Sequence, residues 1–437
     1  ATAYFLAIKF QKIVLLIDEG APLSLTSDKS TECYRNWWGG PDNAMLSLMN
    51  KSISLMEEYA VESNNSFLMR PHGYLFATKN KNEADQLYRQ AKDAEILGVG
   101  CLREITEFSK YKPNNVKSPI SEQDGSDFIT NKEIIKNLFP YLNKDTEAVL
   151  HVRRCGSLSA QQLGMYLLEK AREKSCEFQA GKFTGIETIG GKVSSVTIEQ
   201  NGIENPIATD TLVLAPGPHL KKTLEKIGLD LPVQVEKHVK ISLPDTLNVV
   251  PRDTPLIIWN DPIELPWTDE EKSHLAESPE TEWLLKTFPP GVHGRPVGAG
   301  NQVLMYWTYD CETSIYPEFP IVWDPYLPDV TLRGMAVMVP GLENYFDPMP
   351  RPYVDGGYYT KTEENRPLIG PLKIPGTFVC GAFSGFGIMS ACGAGELLAQ
   401  HITNADLPDY ADAFLPSRYE DPLYLKEIKK WVVDGQL

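Results

Sequence analysis

Gly381-Ala382-Phe383-Ser384-Gly385-Phe386-Gly387-Ile388-Met389-Ser390-Ala391-Cys392-Gly393-Ala394-Gly395-Glu396 decides how the rest of the chain is read. The apolar run Thr377–Gly381 that leads into it has strand character, and a helix is expected over Ile388–Ile402. Small residues at Gly381, Ala382, Ser384, Gly385 and Gly387 let a backbone approach a flat ligand closely. The helix that follows aims its first amides, and the positive end of its dipole, at whatever lies against the turn. Strand, glycine turn and helix in this order are parts of an α/β unit that takes a dinucleotide.

Working outward, Thr211-Leu212-Val213-Leu214-Ala215-Pro216-Gly217 is a second apolar strand running into a glycine turn. The first forty residues read as the tail of a βαβ unit: a helix over 1–7, then a buried strand, Gln11–Ile17, ending in Asp18-Glu19-Gly20. A carboxylate closing such a strand accepts both ribose hydroxyls of an adenine dinucleotide, and Asp18 holds that place, with Glu19 as the alternate. The G-x-G-x-x-G turn that usually opens such a unit is not among these residues. The expectation is a shortened version of a longer protein. A helix over Asp42–Ala60 places Met45, Met49, Ser52, Met56 and Tyr59 on one face. Ala148–Val152 is a short strand, and Ser159-Ala160-Gln161-Gln162 opens a helix that buries Leu163, Leu167 and Ala171. Gly190-Gly191 and Asn201-Gly202 mark hairpin turns around a strand at Lys192–Gln200.

Between these pieces the texture changes. His72–Thr78 alternates like a strand, Lys81–Leu97 is helical, and Lys110–Asp127 is a polar loop. Residues 232–350 are rich in proline and aromatics, with a strand at Gln302–Tyr309. The fold class is α/β: a Rossmann-like dinucleotide domain made of 1–65, 148–232 and 352–437, with an inserted antiparallel or mixed-sheet substrate domain made of 66–147 and 233–351.

Composition narrows the functions. The 437 residues are 42% apolar and 23% charged, the balance of a globular protein. With 42 Lys+Arg against 58 Asp+Glu the net charge is −16, which speaks against nucleic acid and anionic membranes as partners. No apolar run reaches the ~18–20 residues of a bilayer span. No signal peptide is visible, so a cytoplasmic location is expected. The seven cysteines form no C-x-x-C pair, so no metal site is expected and the thiols are read as free.

At this point the chain resembles the flavin-dependent oxidoreductases of the D-amino-acid oxidase and sarcosine oxidase superfamily, which includes glycine oxidase and dimethylglycine dehydrogenase. The resemblance runs through Ile13–Asp18, Arg70–Phe76, Asp210–Gly217, Tyr359–Gly370 and Gly381–Glu396, in the family's order. It implies FAD as cofactor, with Asp18 on the adenosine ribose and Ser27, Ser30 and Thr31 on the loop reaching the pyrophosphate and flavin. Phe183 would lie by the adenine, Ala215 and Gly217 would pack on the dinucleotide, and Gly385, Phe386, Gly387, Ile388 and Met389 would wrap the flavin pyrimidine edge. Such a helix end stabilises the negative charge of a reduced flavin. Departures also matter. Gly357 stands where monomeric sarcosine oxidases tether flavin through cysteine, and no histidine precedes His72, so noncovalent FAD is expected, although Cys33 lies in the loop after the second strand. Met389 replaces the lysine that grips carboxylate in sarcosine oxidases.

The implied activity is oxidation of the CH–NH bond of an amino acid or N-alkyl amino acid by hydride transfer to flavin N5. Oxygen or an electron-transfer partner would take the electrons. Such chemistry needs binding groups more than a triad. Candidates are Arg35 on the loop after the second strand, Arg70 and His72 before the Gly73-Tyr74-Leu75 strand, Tyr306 on an alternating strand, and His293 and Arg295 as its cap. For each, a structural role competes: a surface ion pair for the arginines, core packing for Tyr306 and a satisfied ring for the histidines. Two other functions stay open: a catalytically silent FAD-binding assembly partner, and an NAD(P)H-dependent flavin monooxygenase.

Overall fold

The computed structural model of the protein describes residues 1–38 and 40–431. A large mixed sheet dominates it. Its order is β17 (Thr313–Ser314), β13 (Gln234–Pro244), β16 (Gln302–Tyr306), β15 (His293–Pro296), β14 (Leu256–Trp259), β3 (Tyr74–Thr78), β6 (Ala148–Val152), β5 (Ser126–Ile129) and β4 (Leu102–Glu104). β18 (Tyr353–Lys361) adds to β13 over its whole length, from Gln234↔Lys361 to Ser242↔Tyr353. The strands at 148–152 and 353–361, expected to open the later dinucleotide segments, both hydrogen-bond into this sheet.

The sheet is covered on both faces, which explains why β3 is buried at every residue where alternation was expected. Leu75 and Ala77 enter the core beneath α4 (Lys132–Leu138), α7 (Asp269–Leu275) and α8 (Leu327–Met338), together with Trp259, Met305 and Trp307. Tyr74 and Phe76 pack on the opposite side with Leu87 and Ala91 of α3 (Lys81–Leu97) and with Cys33 of β2 (Cys33–Arg35). β2 itself pairs with β7 (Cys155–Ser157).

The second layer carries smaller sheets. β1 (Val14–Asp18) pairs in parallel with β8 (Cys176–Ala180), and β12 (Leu212–Leu214) pairs in parallel with β20 (Thr377–Gly381), which also holds β19 (Leu368–Pro371). β9 (Lys182–Ile189), β10 (Lys192–Gln200) and β11 (Ile203–Ala208) form a meander through the two expected hairpin turns. α1 (Thr2–Ile8), α2 (Ala44–Glu62), α5 (Ala160–Arg172) and α9 (Gly387–Thr403) share one core, in which the expected faces of α2 and α5 are buried. α6 (Leu220–Glu225) follows β12, and α10 (Pro422–Ile428) ends the described chain.

Some strands are shorter than their sequence pattern. Gln11 adopts a left-handed φ of 53°, so β1 starts only at Val14. β12 stops at Leu214, leaving Ala215 exposed, and β16 stops at Tyr306 although Trp307 and Tyr309 stay on the core side. All seven cysteines are free thiols. Among the described residues, no helix is long and apolar enough to cross a membrane.

Candidate active site

The turn between β20 and α9 is held in a demanding backbone conformation. Ala382 and Ser384 have left-handed φ values of 56° and 50°, which persist in non-glycine residues only where the surroundings impose them. Here the Tyr359–Arg366 run imposes them. The Ser384 N–H donates to the Thr360 carbonyl at 2.8 Å, and its hydroxyl donates to Asn365 Oδ1 at 3.0 Å. Asn365 is fixed in turn by its neighbours. Glu364 lies in a buried ion pair with Arg418 at 2.8 Å, and the Tyr419 and Tyr424 hydroxyls donate to the same oxygen. Arg366 pairs with Asp42 at 2.5 Å. α9 has no side-chain cap, so the first-turn amides, Gly387, Ile388 and Met389 among them, are offered to a ligand. The Phe386 and Met389 side chains lie in the core, so both residues present backbone here.

The loop carrying Ser27, Ser30 and Thr31 lies directly on β18. Thr26 donates its hydroxyl to the Tyr358 carbonyl at 2.8 Å, and a Cβ on Gly357 would come within 3.1 Å of Thr26 Cα. Ser27 is half-buried there. Ser30 accepts the Glu32 N–H at 3.0 Å, and the Thr31 carbonyl accepts two bonds from Arg295, at 2.9 and 2.7 Å. Arg35 is buried with its guanidinium 4.9 Å from the Trp38 ring and 5.8 Å from that of Phe386, at the α9 turn. Burial lowers its pKa.

The strand ends are more open. Asp18 is exposed at the end of β1, where it accepts the Gly20 N–H at 3.0 Å. Gly217 has φ of +55°, and a Cβ there would meet nothing within 4 Å. The Glu19 carboxylate acts on His219, just past Gly217, against the burial that lowers that imidazole. The Phe183 carbonyl accepts a 2.6 Å bond from Lys226.

A third group lies on the large sheet. His238 on β13 meets the Tyr306 hydroxyl through Nδ1 and Glu236 through Nε2 at 2.8 Å. Its ring stacks on Tyr359 at 3.9 Å between centroids, and His293 meets Tyr306 edge-on at 4.9 Å. Burial lowers His238 despite Glu236 beside it, and burial holds His293 down at about 4. Burial alone would raise the Glu236 carboxyl, but hydrogen bonds from His238 and Lys361 hold it at about 2. With Glu236 accepting, Nε2 carries the proton and Nδ1 presents a lone pair to the Tyr306 O–H. The Cys311 thiol lies 3.5 Å from Nδ1, protonated because burial pushes it up to about 12. The thiol lies at Nδ1 and the Glu236 carboxylate at Nε2, and one ligand atom from each of the three residues lies within 4.8 Å of the others.

Apart from Arg35 at the α9 turn, the residues expected around one site fall in two adjoining places. Tyr306 and His293 meet at the His238 cluster, beside a narrow cleft that Thr31, Gly357 and Tyr359 also line. Arg70, His72 and Arg295 line a separate cavity of about 170 Å³. Arg295 stands two residues from His293 on the same strand face, between the two. Glu236, His238, Tyr359 and Lys361 belong to the first place. His238 reads in the sequence as a solvated strand end as readily as a functional group, because the cover supplied by β18 comes from residues more than a hundred positions later.

These residues fit an FAD molecule at both ends, with free helix amides at the α9 turn and a carboxylate and an open glycine at the ends of β1 and β12. A family model described as FAD dependent oxidoreductase (DAO) matches residues 1–401. The chain belongs to this family. Its fold is that of L-proline dehydrogenase from P. horikoshii (TM-score 0.71, 19% identity, covering 96% of this chain and 94% of that one). Glycine oxidase from Geobacillus kaustophilus is similar (0.71, 17%, 95% of each chain), as is iminodiacetate oxidase from Chelativorans sp. BNC1 (0.68, 16%, 95% of each). No curated protein sequence matches the chain. As a DAO-family enzyme the protein is an FAD-dependent oxidoreductase.

Proposed function

We propose that the protein oxidises the CH–NH bond of an amino acid or N-alkyl amino acid, and that Tyr306, His238 and Glu236 carry away the amine proton. The observation behind this reading is the hydrogen-bonded line from the Tyr306 hydroxyl through a neutral His238 to Glu236. The proteins of similar fold named above act on proline, glycine and iminodiacetate, which favours a substrate with nitrogen beside a C–H bond.

When bound, FAD supplies an acceptor for the two electrons and the hydrogen that leave the substrate carbon as hydride. The chain's part is to deliver a neutral amine and hold it still. The Tyr306 oxygen accepts the ammonium proton while its own proton moves to His238 Nδ1, and Glu236 stabilises the imidazolium. The nitrogen lone pair thus freed forms the C=N bond as the C–H bond breaks, and water hydrolyses the imine after release. Arg35, buried beside the α9 turn, offers its positive charge to the substrate carboxylate. His293 and Tyr359 wall the relay from water.

Anaerobic addition of proline, glycine, iminodiacetate and their N-alkyl relatives to the holoenzyme tests this. Bleaching of the visible flavin absorption by at least one of them is expected. Bleaching by NADPH alone, or by nothing, would reject amine oxidation in favour of a monooxygenase or of a silent cofactor-binding protein.

A further inference from the structure

The cavity lined by Arg70, Arg252 and Arg295 takes no part in the relay, and its chemistry is different. Three guanidiniums and one carboxylate, Glu32, line it, so it carries two positive charges in a chain whose net charge is −16. His72 adds none at neutral pH, because burial holds it at about 4. Part of this charge is committed: Arg295 is bound to the Thr31 carbonyl and lies 3.4 Å from Glu32. Arg252 donates to the carbonyls of Gln302 and Val297 at 2.9 and 2.7 Å, while its buried Nε has no hydrogen-bond partner among the described residues. Among the described residues, Arg70 reaches only the Gly298 carbonyl, at 3.4 Å. The remaining wall is apolar, with Leu68, Leu256 and Val297. Its volume of about 170 Å³ exceeds that of protein cavities which take up a benzene molecule.

We propose that this cavity is a binding site for a small dicarboxylate, distinct from the place where the amine is oxidised. Two carboxylates match the two positive charges in excess on the cavity wall, although the buried Asp245 carboxylate also acts on Arg252 from behind, and a short methylene chain matches the apolar wall between them. Neutral solutes of the same size would leave the guanidiniums without counter-charge. Arg295 also holds the carbonyl of Thr31, so an anion seated here touches the loop beneath β18 through one shared side chain.

Calorimetric titration of the holoenzyme with succinate, and with succinamide as the neutral isostere, tests the site without turnover, so its outcome does not depend on the amine reading. Saturable succinate binding is expected, weakened about tenfold or more by R70Q and by R252Q, which corresponds to about 1.4 kcal/mol. It should also weaken as salt is raised. Arg70 lies at the open rim, so R70Q remains informative if R252Q fails to fold. Y306F should bind succinate as the unaltered protein does. Succinate binding no tighter than succinamide, or undiminished in R70Q, would overturn the proposal. Equal loss in Y306F would show one continuous site and overturn its separateness.

Discussion

The turn into α9 and the ends of β1 and β12 are the two regions we propose for the cofactor, and they are built in opposite ways. The turn is over-determined, with left-handed residues pinned by Thr360 and Asn365, which are braced by a buried ion pair. The strand ends are exposed, with one local hydrogen bond at Asp18 and open space beside Gly217. On the proposed reading, position is enforced at the end nearer the relay, where an error of an ångström changes a rate. At the other end, affinity alone is at stake.

The comparison breaks most easily at Glu364. E364A leaves Arg418 buried without its counter-charge, and a loss of about 3–5 kcal/mol is expected in urea unfolding. An unchanged unfolding midpoint would show that the turn is not braced as described. Next comes the relay that the turn faces. Y306F is expected to lower kcat/KM for the amine about 100-fold with FAD content unchanged, and H238Q should do the same. A rate within a factor of two of the parent enzyme would remove the relay.

Acid sharpens the same region. His293 is held at about 4 by burial, against about 6.5 when unfolded. Between those values the unfolded chain binds a proton that the folded one refuses, so stability falls as pH drops from about 6.5 to 4. The contribution is on the order of 3 kcal/mol, and H293N should flatten thermal melting profiles across that window relative to the parent. The smallest effect belongs to the open end. D18N should weaken FAD about tenfold by equilibrium dialysis while kcat at saturating FAD stays constant. A fall in kcat there would erase the division between the two regions.

Much of the α/β layer was legible because its signals are local. The capping residues of α5, the paired turns of the meander and the glycine run before α9 each lie within a few neighbouring positions. The large sheet was harder, since Ala148–Val152 looks alike in either layer and only its pairing with β3 and β5 assigns it. In the proposed relay, Tyr306 is a candidate from strand alternation and His293 from its place as a cap beside the same strand. Their partners were not, because Glu236, His238 and Tyr359 acquire meaning only when β13 and β18 lie side by side. Arg70 and His72 share a cavity with Arg295, and no spacing in the chain separates that cavity from the relay.

The late position of β18 and α9 has a consequence for biosynthesis. On the ribosome, His238 emerges long before Tyr359 arrives to cover it, and the loop at 26–31 waits longer still for the strand it rests on. On the proposed placement, nearly the whole chain must therefore leave the exit tunnel before a flavin can be gripped at its redox end. Loading with cofactor is thus an event of the finished polypeptide, and a nascent fragment released early would expose an unpaired edge of β13 to its neighbours.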